Sequence, residues 1–147
     1  MAQRSNVTIG TAIGILSIIG FSCIASAGSL KIDIEGFDEL TGEVMVAIYD
    51  DAASFPSKSD NAVKLAKSDV TAEQVTIVVN DLPAGTYGIS IYHDENGNGK
   101  LDKNFFGVPM ELYGFSNNVR GFAGPPAFEA TLITVSDDQT TTSISLE

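Results

Sequence analysis

The sequence predicts an all-β chain folded as an antiparallel β-sandwich of six to seven strands, followed along part of its length by a long loop rich in aromatics, glycine and proline. Three observations carry this. Apolar and polar residues alternate at period two over most of the chain, the helical period hardly occurs, and clusters of turn-forming residues separate the alternating runs.

The N-terminal stretch reads as a targeting signal. Arg4 precedes an apolar run from about Val7 to Ile24, and Ala25-Ser26-Ala27 supplies small residues in the A-x-A pattern, so residues 1–27 are expected to be a signal peptide and residues 28–147 a single sandwich domain. Thr8, Gly10, Thr11, Gly14, Ser17, Gly20 and Ser22 interrupt the run and make it a poor membrane span, and no stable span is expected after its removal. A lipoprotein signal around Cys23 fits less well, because Gly20-Phe21-Ser22 lacks an aliphatic residue. The expectation is an exported protein, periplasmic or extracellular. Cys23 is the one cysteine of the chain, so the remaining domain has no disulfide, thiolate metal site or cysteine nucleophile.

The strands follow in order. Leu30-Lys31-Ile32-Asp33-Ile34-Glu35 alternates cleanly, and Val44 to Tyr49 is β-rich and bounded by Gly42 and Asp50-Asp51. Asp51 to Asn61, with Phe55-Pro56, reads as a surface loop holding a short helical turn, and Lys64 to Val70 as a short strand. Val75 to Val79 ends at the turn Asn80-Asp81-Leu82-Pro83-Ala84-Gly85; Thr86 to His93 then places Tyr87, Ile89 and Ile91 on one face, with the His93 ring at the sheet surface. Ala130 to Val135 and Thr141 to Leu146 read as a closing hairpin around Ser136-Asp137-Asp138-Gln139.

With 19 acidic residues against 8 Lys and Arg, the chain carries a formal charge of −11, which argues against nucleic acid as a partner. Removal of a leader containing Arg4 and no acid makes the remainder more acidic still. Such a surface gives solubility and also concentrates divalent cations.

The segment Asp94-Glu95-Asn96-Gly97-Asn98-Gly99-Lys100-Leu101-Asp102 has the ligand order of a calcium loop. Asp94, Asn96 and Asn98 stand where side-chain oxygens are needed, Gly99 at the sharp bend, Lys100 where a backbone carbonyl serves, and Asp102 at the often water-bridged position. The twelfth position is Phe105 rather than glutamate, and the flanks are not helical, so this is a calcium-type loop outside an EF-hand. The same composition also describes a metal-free turn. Oxygen donors and a lone histidine, His93, disfavour transition metals.

From Asn104 to Glu129 runs a connection with no predicted secondary structure, in which Phe105, Phe106, Tyr113, Phe115, Phe122 and Phe128 alternate with glycine and proline. Its aromatics, Phe106, Tyr113, Phe115 and Phe122 among them, are expected to bury against the sandwich. Within it Glu111, Tyr113, Ser116, Asn117, Asn118 and Arg120 form a candidate ligand-binding set, which equally suits tying the loop to itself, with Arg120 pairing with Glu111 or Glu129.

Leu82-Pro83-Ala84-Gly85-Thr86-Tyr87, His93 to Asp102, Gly107-Val108-Pro109-Met110-Glu111-Leu112-Tyr113-Gly114-Phe115-Ser116-Asn117-Asn118 and Gly124-Pro125-Pro126-Ala127-Phe128 together resemble the bacterial exported family catalogued as domain of unknown function 2141. The resemblance spans essentially the whole chain after the leader. It implies a transthyretin-like or immunoglobulin-like sandwich and no established activity.

No catalytic set is assigned, since one histidine and no cysteine after the leader leave little for nucleophilic catalysis. The expected function is a non-catalytic, calcium-stabilised binding or adhesion module for a protein or glycan. A carrier of a small apolar ligand and, further off, a hydrolase are the alternatives.

Overall fold

Period-two sequence becomes period-two burial. A computed structural model describes residues 27–147, so the expected signal peptide up to residue 26, Cys23 included, lies outside the described residues, and its last expected residue, Ala27, opens the first strand. In β1 (Ala27–Glu35) the buried positions are Gly28, Leu30, Ile32 and Ile34; in β2 (Glu43–Tyr49) they are Val44, Val46, Ile48 and Tyr49. The further strands are β3 (Lys64–Asp69), β4 (Gln74–Pro83), β5 (Gly85–Asp94), β6 (Tyr113–Phe115), β7 (Ile133–Val135) and β8 (Gln139–Ser145), with a single four-residue helix, α1 (Phe128–Thr131), among the described residues. None of the described helices is long and apolar enough to cross a membrane.

Two sheets pack face to face. One has the order β4-β1-β8 and the other β3-β2-β5-β6, with β7 also pairing to β5. Their facing side chains, Leu30, Ile32 and Ile34 of β1, Val75, Ile77 and Val79 of β4, Val46 and Ile48 of β2, and Tyr87, Ile89 and Ile91 of β5, form one core, as β-branched residues on half-buried pleats favour. The all-β sandwich expected from the sequence is the fold observed. The strand at Lys64 and a 3₁₀ turn at Ser59–Asn61 are also present.

The C-terminal hairpin is not. Residues 130 and 131 belong to α1, β7 pairs antiparallel with the start of β5, and β8 crosses to the other sheet to run parallel to β1. The crossover passes so close to β1 that a Cβ on Gly28 would stand 2.1 Å from the Ser136 carbonyl oxygen. A glycine at that strand position lets the chain change sheets where a hairpin would otherwise form.

The long segment also divides. Phe115, only 5 % exposed, sits in a tilted and edge-on aromatic cluster with Phe55 (5.7 Å between ring centroids) and Tyr113 (5.8 Å), and Phe55 further meets Phe128 (5.4 Å) and Tyr49 (5.6 Å). This part caps the β2–β5–β6 sheet as expected, with Tyr113 half-buried. Phe106 and Phe122 contradict the expectation of shielding: both are exposed, as is Phe105. Each sits in a tight reversal that turns its side chain away from the sheets, Phe106 at the tip of a short hairpin and Phe122 beside Ala123, whose φ is +58°.

Candidate functional site

Strand β5 ends at Asp94, and the chain turns at once into the glycine-bearing loop. Beneath that point lies the turn joining β1 to β2, where Gly42 has φ +71° and a Cβ would stand 2.3 Å from the Asp94 carbonyl oxygen. Only glycine tolerates both the backbone conformation and the approach. His93, the preceding residue, is fully buried rather than at the surface. It faces the core side of β5, its Nε2 lies 2.6 Å from the Thr41 carbonyl oxygen, and its ring meets Phe37 edge-on. Its other nitrogen, Nδ1, has no hydrogen-bond partner, the nearest carboxylate oxygen, on Glu95, being 3.7 Å away. The histidine therefore fastens the loop's base to the 36–42 turn and is out of reach of an external substrate.

The predicted metal-site residues come together. Asp94 is 1 % exposed, and its two carboxylate oxygens accept hydrogen bonds from the backbone N–H groups of Asn98 (3.0 Å) and Gly99 (2.7 Å). Asn96 Oδ1 also accepts from Asn98 N, and Asn98 Oδ1 accepts from Lys100 N at 2.8 Å. The amide nitrogens of Asn96 and Asn98 then donate to the two oxygens of Asp102, at 2.6 and 3.0 Å. The first four bonds fix side-chain oxygens against the loop's own backbone and the last two tie Asp102 to the asparagine amides, so that Asp94, Asn96, Asn98 and Asp102 are held on one short stretch of chain.

The sequence reading missed the role of Glu111. Its carboxylate accepts from Glu95 N (3.1 Å) with one oxygen and from Asp102 N (2.8 Å) with the other, clasping the loop's two ends. It reaches them because residues 103–110 fold back as a hairpin: Met110 N donates to Asp102 O, Lys103 bridges to Pro109, and Asn104 N donates to Val108 O. The signal available in sequence is that Glu111 is the single acid between Asp102 and Glu129. Removing it in Glu111→Ala leaves two backbone donors without their partner, and a loss of about 2–4 kcal/mol is expected in urea unfolding, since bonds to charged groups contribute about 1.5–3 kcal/mol each. A loss under about 0.5 kcal/mol would mean the clasp is not formed.

Neither Asp94 nor Glu111 has an ion pair among the described residues. The nearby Lys67 is committed to Glu43 at 2.8 Å. The two carboxylates are felt by Tyr92, whose phenol is pushed above its ordinary range by burial first and by the Asp94 and Glu111 charges next. No group of three or more His, Cys, Asp or Glu side chains forms a metal cluster among the described residues. A cation here would be held by a mixed set, the carboxylates of Asp94 and Asp102, the amide oxygens of Asn96 and Asn98, and the Lys100 carbonyl. Oxygen donors of that kind suit calcium.

The polar set further on binds the chain to itself. Ser116 Oγ donates to the Thr131 carbonyl and accepts from Ile89 N at 3.0 Å. Asn117, at φ +61°, donates to the carbonyls of Ala130 and Leu132, and Asn118 Oδ1 accepts from Ser145 N at 2.8 Å. Arg120 pairs with Glu147 rather than with Glu111 or Glu129: its Nε lies 2.8 Å from a carboxylate oxygen, and Nη2 donates to the Ser145 carbonyl at 3.0 Å. Arg120, by hydrogen bonding and then by its charge, holds the Glu147 carboxyl below its ordinary range. Tyr113 packs in the aromatic cap, so the six residues of the candidate ligand set divide between the loop clasp and the cap instead of lining one site.

Residues 32–143 match the family model described as "Uncharacterized protein conserved in bacteria (DUF2141)". The chain belongs to this family. The match covers both sheets, the Asp94 loop and the aromatic cap together. No curated protein and no solved structure matches the chain.

Proposed function

We propose that this DUF2141 protein is an exported, non-catalytic binding or adhesion module, a sandwich of the transthyretin-like or immunoglobulin-like kind whose loop from Asp94 to Asp102 takes up calcium. The observation that carries the proposal is the buried Asp94 carboxylate, which accepts two backbone hydrogen bonds yet has no ion pair among the described residues. A carboxylate taken out of water is costly unless a positive charge or several donors compensate it. Bound calcium would neutralise Asp94 and Asp102 together. Export rests on the leader pattern in residues 1–27. The non-catalytic reading is supported by the enclosure of the single histidine.

Rigidifying this loop matters because the hairpin of residues 103–110 grows directly from it. A cation that fixes Asp102 also fixes the base from which Phe105 and Phe106 project. Calcium titration followed by thermal unfolding tests the reading. At 100 times the dissociation constant, mass action adds about 2.7 kcal/mol, a rise of several degrees in Tm for a domain of this size. An equal Tm in millimolar calcium and in chelator would reduce the loop to a turn.

A further inference from the structure

The hairpin of residues 103–110 presents apolar side chains outward on a backbone that is itself well ordered by hydrogen bonds. Asn104 Oδ1 accepts from Phe106 N (2.9 Å) and Val108 N (3.1 Å), and Gly107 N donates to the Asn104 carbonyl. On this frame Phe105 is 97 % exposed, Phe106 86 %, Met110 72 % and Val108 55 %, with the two phenylalanine rings edge-on at 5.5 Å. Large apolar side chains scattered singly over a surface are ordinary, but four on one hairpin, held by a side-chain-tied turn, are a patch.

We infer that this tip inserts into the interfacial layer of an anionic phospholipid bilayer. Two observations select that occupant. The first is charge. The two acids that flank the hairpin, Asp102 and Glu111, are turned into the loop, Asp102 held by the Asn96 and Asn98 amides and Glu111 buried on Glu95 N and Asp102 N, whereas Lys100 and Lys103 are exposed and form no ion pair among the described residues. Apolar residues at a tip with exposed lysines at its shoulders match acyl chains below anionic headgroups. The second is size and shape. The tip gathers on the order of 600 Å² of apolar surface, counting about 150–250 Å² for each aromatic, on one narrow hairpin. A narrow protrusion is surrounded on all sides in a bilayer and only partly covered by a second protein. The inference rests on the binding-module reading above and supplies its partner; calcium at the neighbouring loop would remove the acidic charge that opposes the approach.

The sequence has no tryptophan, so Phe106→Trp introduces a single reporter at an exposed position. With vesicles of phosphatidylcholine containing about one third phosphatidylglycerol, its emission is expected to move to shorter wavelength and to be quenched by brominated acyl chains. Leu65→Trp, on the exposed side of β3, should show neither effect. The readout is local to the tip, so the apolar leader does not enter it. Adding Phe105→Ser should weaken partitioning about tenfold or more, and Lys100→Glu with Lys103→Glu should abolish the preference for anionic over neutral vesicles. An unchanged Phe106→Trp spectrum with vesicles, in a variant whose Tm matches the wild type, overturns the inference. So does a blue shift that grows with protein concentration without lipid, which would mean that a second copy covers the tip. If lipid shifts the emission while calcium leaves Tm unchanged, the lipid inference stands and the calcium reading fails; if calcium raises Tm and lipid does nothing, the reverse holds.

Discussion

Replacing Phe115 by alanine is expected to cost about 3–5 kcal/mol, and replacing Phe106, nine residues earlier in the same aromatic-rich segment, less than about 0.5 kcal/mol. Phe115 is nearly enclosed at the centre of the ring cluster formed with Phe55 and Tyr113, so truncation leaves a cavity that rigid neighbours cannot fill. Phe106 touches little besides Phe105 and water, and shortening it removes apolar surface that was never buried. Since a domain of this size has about 5–15 kcal/mol of total stability, the first substitution is expected to remove a large share of it and the second almost none. Urea unfolding of the two variants side by side measures the contrast. A cost below about 1 kcal/mol for Phe115→Ala would mean that the aromatic cap is not packed on the sheet.

That contrast also marks where sequence reading stops. Alternation identified β1, β2, β4 and β5, because one buried face on a pleated strand imposes period two wherever it occurs. The same pattern says nothing about which strand a given strand pairs with. Thr141 to Leu146 has the alternation of a hairpin arm, and its partner turned out to be β1, in parallel, through a close pass over Gly28. Nor does composition say which aromatics of a glycine- and proline-rich segment turn inward. Phe115 is held by pairing of β6 to β5, whereas Phe106 lies in a hairpin whose pairing is entirely local. Both stretches read equally apolar.

The loop was more legible than its surroundings. Asp94, Asn96 and Asn98 are spaced so that their oxygens meet the loop's own backbone N–H groups, and Asp102 so that it meets the Asn96 and Asn98 amides, all contacts within nine residues, which sequence does encode. The clasp by Glu111 is non-local. An EF-hand brings its glutamate at the twelfth position; here an eight-residue hairpin intervenes, and folds back so that Met110 N meets Asp102 O and the carboxylate arrives beside the loop. Counting along the chain finds Phe105 at the twelfth position and misses it. Likewise His93 reads as a surface residue at a strand end, and is buried because the turn at Thr41 and Phe37 covers it.

Asp94→Ala is expected to be the variant whose cost depends on the solution. In chelator it removes two charge-assisted hydrogen bonds, to Asn98 N and Gly99 N, together with the penalty of keeping a carboxylate out of water. The two effects oppose each other, and a net loss of about 2–4 kcal/mol is expected because two bonds to a charged acceptor go and Gly99 N is left without its partner, while Asn98 N keeps Asn96 Oδ1. In calcium at 100 times the dissociation constant, the wild type gains about 2.7 kcal/mol that the variant does not, so the cost should rise to roughly 5–7 kcal/mol. Asp94→Asn separates the contributions further: it keeps one acceptor for the loop amides and loses the charge, so in chelator it should be milder than the alanine variant while responding to calcium as weakly. The difference between the two media, measured on the same variant, cancels the packing and hydrogen-bond losses common to both and leaves the metal's share. If Asp94→Ala costs the same in calcium and in chelator, the buried carboxylate serves only to order the backbone, and the hairpin that carries Phe105 and Phe106 is held by the Glu111 clasp without help from a cation.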